Sequence, residues 1–139
     1  MVFPYDMAVV REMKGAMKRT VVNKDDIDAL VRFDKAYVSV SMPLHLFRNS
    51  VERIIELLAE PIQHGSRVLV DASACPYPST EAIEVLLRIV KLYRVKTSVY
   101  TLPIANANDS WKKVFRIVNI SELFVFCDSL EAAKNVYRG

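Results

Sequence analysis

Between residues 71 and 81 the sequence DASACPYPSTE places a carboxylate, three hydroxyl side chains, a thiol, a phenol and a second carboxylate within eleven positions. Asp71, Ser73, Cys75, Tyr77, Ser79, Thr80 and Glu81 could serve three chemistries. Cys75 or Ser73 could act as a nucleophile beside Asp71, with His45 as a base brought in by the fold. The loop could bind a small ligand or a partner, because open α/β sheets place ligands at the carboxyl ends of their strands. Alternatively, Ser79 or Thr80 could cap a helix by accepting a hydrogen bond from a free N–H of its first turn, which explains both hydroxyls without further chemistry. A phosphate would also be tolerated there, since a helix N-terminus favours an anion, although Glu81 next door opposes it. For Cys75 the simpler reading is a small residue packed inside the loop.

The elements flanking this stretch are legible from periodicity. RVLVDA (67–72) is a short β-branched run and predicts a strand. TEAIEVLLRIVKLY (80–93) sets Ile83, Leu86, Leu87 and Val90 against Glu81, Glu84, Arg88 and Lys91, which predicts an amphipathic helix. Pro76 and Pro78 stop the strand and restrict the residues before them. Upstream, IDALVRF (27–33) and YVSVSM (37–42) read as a hairpin across DKA, and Val51, Ile54, Ile55, Leu58 and Ile62 as a helix ending near Pro61. Downstream, the same reading gives a strand over 97–102, a helix through Trp111, Val114, Phe115 and Val118, a strand over 123–127 and a closing helix over 129–137. Trp111 falls on the apolar stripe of its helix, so it is expected in or near the core. Strands separated by helical crossovers predict a mainly parallel sheet covered by helices.

Composition bounds the functions. A chain of 139 residues, 52% of them hydrophobic, suffices for one core. The longest uncharged run, 97–108, is too short to span a bilayer and holds a proline. With no secretory signal pattern at the start, the expectation is a cytoplasmic protein. Cys75 and Cys127 suggest reduced thiols, and His45 and His64 lie at spacings unrelated to them, so neither metal nor cofactor is expected. Glycine occurs at 15, 65 and 139, none between a strand and a helix, which excludes a P-loop and a dinucleotide fingerprint, and G-x-S-x-G is missing. The net charge is +3. A basic stretch through Arg88, Lys91, Arg94, Lys96, Lys112, Lys113 and Arg116 fits the solvated faces of two helices better than a nucleic-acid surface.

Residues 27 to 137 resemble the STAS domain, the fold of anti-sigma factor antagonists, stressosome scaffold proteins and the tails of sulfate transporters. The resemblance rests on the order of elements, on Asp71, Ala72 and Ser73 at a D-x-S stretch, and on Ser79, Thr80, Glu81 and Ala82 where the family has D-S-S-G. The final stretch SWKKVFRIVNISELFVFCDSLEAAKNV also looks like the family's last helix, strand and helix. The acid ahead of the phosphorylatable hydroxyl is replaced by Ser79 and the glycine by Ala82. The resemblance implies a single α/β domain over 25–139, with about five strands in a mainly parallel mixed sheet and about four helices, and a helical extension over 1–24. It further implies a non-enzymatic regulatory interaction module, with Thr80 as phosphoacceptor and Ser79 as the alternative. Asp71, Ser73, Cys75, Tyr77 and Glu81 would form the partner or ligand loop. Implied partners are a switch kinase, an anti-sigma-type protein or other STAS subunits, including copies of itself; nucleic acid is not among them. A second implied role is an accessory module that binds a nucleotide or lipid or supports a transporter complex.

Residues 7–19 give Met7, Val10, Met13 or Lys14, and Met17 a methionine-rich face, with Arg11, Lys14 and Lys18 largely on the other. Gly15 weakens such a helix by about 1 kcal/mol relative to alanine, so it needs a surface to form on. Its own domain or a second subunit is the expected surface, with a membrane as the minor alternative. Deleting residues 1–22 is accordingly expected to lower the unfolding midpoint or change the mass measured by sedimentation.

Overall fold

The computed structural model describes residues 24–97 and 100–138. The expected helix over 7–19 lies outside them. The described chain runs through α1 (Lys24–Asp28), β1 (Val31–Asp34), β2 (Tyr37–Ser41), α2 (Arg48–Gln63), β3 (Arg67–Asp71), α3 (Thr80–Arg94), β4 (Leu102–Ala105), α4 (Asp109–Ile117), a 3-10 turn (Ser121–Leu123), β5 (Phe124–Cys127) and α5 (Leu130–Arg138). The five strands lie in the order β1-β2-β3-β4-β5. β1 pairs antiparallel with β2, and each later pair is parallel.

This order explains the layers. Right-handed crossovers between sequential parallel neighbours put α2, α3 and α4 on one face. Alternation along the strands then divides the side chains. Val38, Val40, Val68, Val70, Leu102 and Ile104 join the core under those helices, while Leu69, Ala105 and Ala133 form a smaller cluster with α5 on the other face. Trp111 is fully buried, as its stripe position predicts, and packs against Phe115, which packs edge-on against Phe124 and Phe126.

Four boundaries differ from the sequence reading. Ile27 and Asp28 belong to a helical turn, not to the first strand. From that turn Ile27 enters the core, and both carboxylate oxygens of Asp28 accept from Arg53 of α2 at 2.7 and 2.8 Å. α2 continues through Pro61 to Gln63 and stops at Gly65, whose φ of +92° suits a residue without Cβ. Lys96 then donates to the last carbonyls of α2, those of Ile62 and Gln63. Val118 is exposed, because α4 ends at Ile117.

The fourth difference concerns the central sheet. The strand expected over 97–102 begins at Leu102 and runs over Pro103. Proline has no N–H, and pairing with β3 starts only one residue later, at Val70 with Ile104. Val68 therefore lacks a strand on that side, and tyrosines serve it instead. Tyr93 Oη accepts from the Val68 N–H at 3.0 Å and donates to the Ser66 carbonyl. Tyr137 Oη donates to the Val68 carbonyl at 2.6 Å, which leaves Tyr100 as the donor in the 2.5 Å contact between Tyr100 and Tyr137. Burial pushes the Tyr93 phenol up to about 12, so it stays protonated. Tyr93→Phe strands the buried Val68 N–H and is expected to cost about 1–3 kcal/mol in urea unfolding, whereas Tyr77→Phe, at an exposed position, should stay within about 0.5 kcal/mol of wild type.

Candidate functional site

The loop between β3 and α3 is built by residues from four elements. β3 ends at Asp71 in register with Ala105 of β4, and the Ala72 N–H donates to the Ala105 carbonyl at 2.9 Å, extending the ladder by one step. Asp71 then turns its carboxylate onto the loop, where Oδ1 accepts from the Ser73 N–H at 3.0 Å and from Asn106 Nδ2 at 3.1 Å. Asn106 sits at φ +63°, a left-handed conformation that asparagine tolerates better than most residues. Burial alone would raise the Asp71 carboxyl. The Ser73 amide, the Asn106 carboxamide and the Ser73 hydroxyl outweigh it and hold the group below the usual carboxylate range.

The middle of the loop is anchored from α4. Trp111 Nε1 donates to the Cys75 carbonyl at 2.6 Å, and Asn108 Nδ2 donates to the Pro76 carbonyl at 2.9 Å. Asn108 is also the N-cap of α4, its Oδ1 accepting from Ser110 and Trp111. One side chain thus starts a helix and ties down a neighbouring loop. The Cys75 thiol donates to the Tyr77 carbonyl at 3.1 Å, and burial raises its pKa, so at neutral pH it is a protonated packing group. No hydrogen bond links it to His45, which is exposed on the loop before α2.

The loop delivers the chain to α3 in extended form. Ser79, at φ −79° and ψ 168°, is the N-cap, and its Oγ accepts from the Ala82 N–H at 3.1 Å. Ser79 is half-buried by this role. Thr80, the first helical residue, is exposed. Glu81 is in the first turn, where its charge suits the helix dipole. Tyr77 projects with 69% of its surface exposed, and Ser73 is exposed beside the Asp71 turn.

The fold thus gathers the seven residues singled out in the sequence at one end of β3 but gives them different positions. Cys75 faces inward, Ser79 and Asp71 hold the loop, and Ser73, Tyr77 and Thr80 face solvent. Sequence reasoning missed Asn106, Asn108 and Arg48. An asparagine three residues before a tryptophan is a helix-start signal, but it is lost when the preceding strand is ended at residue 102. Arg48 is a surface residue whose importance appears only in three dimensions: it pairs with Glu84, one turn beyond Thr80, and Glu84 also lies 3.7 Å from Arg88. Among the described residues no cluster of three side chains could hold a metal ion, and no helix is long and apolar enough to cross a membrane.

No protein-family model matches the sequence, and no curated protein is significantly similar to it. Solved structures are similar in fold. The anti-sigma factor antagonist SpoIIAA in its unphosphorylated form superposes with a TM-score of 0.62 at 13% identity, over 78% of this chain and 96% of that one. An anti-sigma factor antagonist (STAS) domain protein from Planctomyces limnophilus gives 0.57 at 18% identity, over 71% and 88%. A chain from the stressosome, described as a signal integration and transduction hub, gives 0.61 at 17% identity, over 78% and 99%. These likenesses define a class of fold, an α/β sheet with one antiparallel edge. The chain has the STAS-domain fold.

The Asp71 carboxylate is expected to matter through its charge. Replacing it with alanine frees the Ser73 amide and the Asn106 side chain and should cost about 2 kcal/mol at pH 7. Because its folded pKa lies below the unfolded value of about 3.9, this contribution is full above that pH and fades as pH falls through the folded pKa. Urea unfolding at pH 7 and pH 3 should therefore show wild type and Asp71→Ala converging in acid.

Proposed function

We propose that this protein is a non-enzymatic regulatory interaction module of the STAS type, which binds its partner through the β3–α3 junction and is switched by phosphorylation of Thr80. The observation that carries the reading is the division of labour at the helix start. Ser79 carries the cap, and Thr80 is exposed with no structural duty at its hydroxyl. A phosphate at Thr80 would enjoy the unpaired N–H groups and the positive end of α3. It would stand one turn from Glu84 on the same helical face, where Arg48 lies within reach. Glu84 opposes the phosphate and Arg48 attracts it, so phosphorylation would redistribute this ion pair and add negative charge to the surface around Tyr77.

The loop is suited to recognition because its backbone is fixed from within. Tyr77 offers an exposed aromatic surface, and ordering it costs little because Pro76 and Pro78 flank it. Partners of the kind named for the structural neighbours, anti-sigma proteins or other stressosome subunits, fit a surface of this type. A kinase acting on Thr80 completes the scheme. Protonation of the Cys75 thiol and its hydrogen bond to Tyr77 argue against nucleophilic chemistry in the same loop.

The test compares three full-length variants. Thr80→Ala should retain the proteins captured by wild type from the source cell, and Thr80→Asp should lose or exchange them, with both folded as judged by thermal unfolding. Ser79→Ala should cost about 1 kcal/mol of stability without changing the captured set. Mass spectrometry of the native protein should find phosphate on Thr80. Identical capture by Thr80→Ala and Thr80→Asp, with Thr80 unmodified in the cell, would refute the switch.

A further inference from the structure

The side of α2 that faces away from α3 carries an incomplete apolar stripe. Arg53, Leu57 and Pro61 recur every four residues along it, all partly exposed. α1 covers the first position, where Asp28 holds the Arg53 guanidinium through two hydrogen bonds, and Ile27 enters the core beside it. Beyond α1 the stripe continues over Leu57 and Pro61. The register of β1 places Phe33 opposite Val38, on the same face of the sheet as α2, yet Phe33 is 60% exposed on the edge strand. Glu56 and Glu60 line the outer rim of the stripe, both exposed, with Glu56 also pairing with Arg53.

We infer that residues 7–19 of the same chain dock as a helix along this strip, with the face made by Val10, Met13 and Met17 on Phe33, Leu57 and Pro61 and the flanking stripe of Arg11, Lys14 and Lys18, which Met7 shares, toward Glu56 and Glu60. Reach supports an occupant from the same chain. The strip extends about 12 Å from Arg53 to Pro61 at the helical rise, and residues 20–23 can span about 13 Å before α1 begins. A helix of thirteen residues is about 20 Å long, enough to cover the strip. Charge supports it as well, since Arg11, Lys14 and Lys18 fall on one stripe of the segment beside its apolar face and meet an acidic rim. The unbranched side chains of Met13 and Met17 suit a shallow surface of mixed shape, and a surface is what a helix weakened by Gly15 requires. Docking would also cover the β1 edge, a common device against unwanted strand pairing.

Limited trypsin digestion of the full chain tests the inference through the bonds after Lys14, Lys18 and Arg19. In wild type these bonds should be cut at least tenfold more slowly than in Phe33→Asp, whose exposed position leaves the core intact, as unchanged Trp111 fluorescence would verify. Glu60→Lys should also speed cleavage, and its effect should shrink in high salt. Protection independent of protein concentration, with a monomer mass in sedimentation, supports docking within one chain. Equal rates in all three proteins overturn the inference. Protection that appears only as the mass doubles also overturns it, because the occupant is then a second copy.

Discussion

The indole N–H of Trp111 governs the architecture of the site. A fully buried tryptophan must hand its one donor to an acceptor inside the protein, because an unpaired buried N–H costs as much as the packing of the ring can offset. The acceptor is the Cys75 carbonyl, in the middle of the loop after β3. Core packing of α4 therefore fixes a surface loop thirty-six residues earlier in the chain. Asn108 adds a second tie at Pro76, and Pro76 and Pro78 remove backbone freedom between the ties and the start of α3. The loop reaches Ser79 already extended, in the conformation an N-cap needs.

β3 is held differently at its two ends, and Pro103 is the reason. Its carboxyl end pairs with β4 and is locked by Asp71 to Asn106, whereas at its amino end both polar groups of Val68 go to tyrosine hydroxyls. A full ladder would have needed an N–H that proline lacks. Tyr93 comes from α3 and Tyr137 from α5, so one residue, Val68, joins the helices on the two faces of the sheet through its central strand. The stacking of Tyr93 on Tyr100, with centroids 4.1 Å apart, fills the space beside it. The site end of β3 is thereby mounted on a strand fixed from both layers.

The sequence disclosed those parts of the fold in which one force acted alone. Amphipathic spacing identified α2, α3 and the tryptophan helix because each buries one stripe against one sheet. It misjudged 27–33, where Ile27 satisfies an alternating pattern and a helical turn equally well, and the Asp28 bond to Arg53 decides for the turn. It misjudged 97–105 as well, because a proline in a buried strand argues against the strand from sequence, and the tyrosines that compensate come from positions far away in the chain. At the site, the residue types in 71–81 were legible, and Cys75 packs inside the loop as its type suggested. The choice of Ser79 over Thr80 as the cap and the outward turn of Tyr77 were not legible, because they depend on the ties that Trp111 and Asn108 make to the loop backbone. Arg48 was illegible for a simpler reason, since an ion pair across thirty-six residues leaves no local pattern.

Ser79 and Thr80 show why adjacent hydroxyls can serve different ends. A cap hydroxyl is bound to the backbone, so altering it changes the stability of the helix and, with it, the fold. The next residue begins α3 and is exposed, and Glu84, one turn further on the same face, leans back toward it because helical side chains tilt toward the N-terminus. Charge added there falls on an ion pair that is already solvent-exposed and shared, because Glu84 is approached by both Arg48 and Arg88, and Arg88 in turn binds Glu52 at 2.5 Å. Such a network can exchange partners without unpacking the core, since no buried group depends on it. The interior contacts of the loop and the exposed charges of α3 are thus mechanically separate. That separation follows from placing the cap one residue before the exposed hydroxyl.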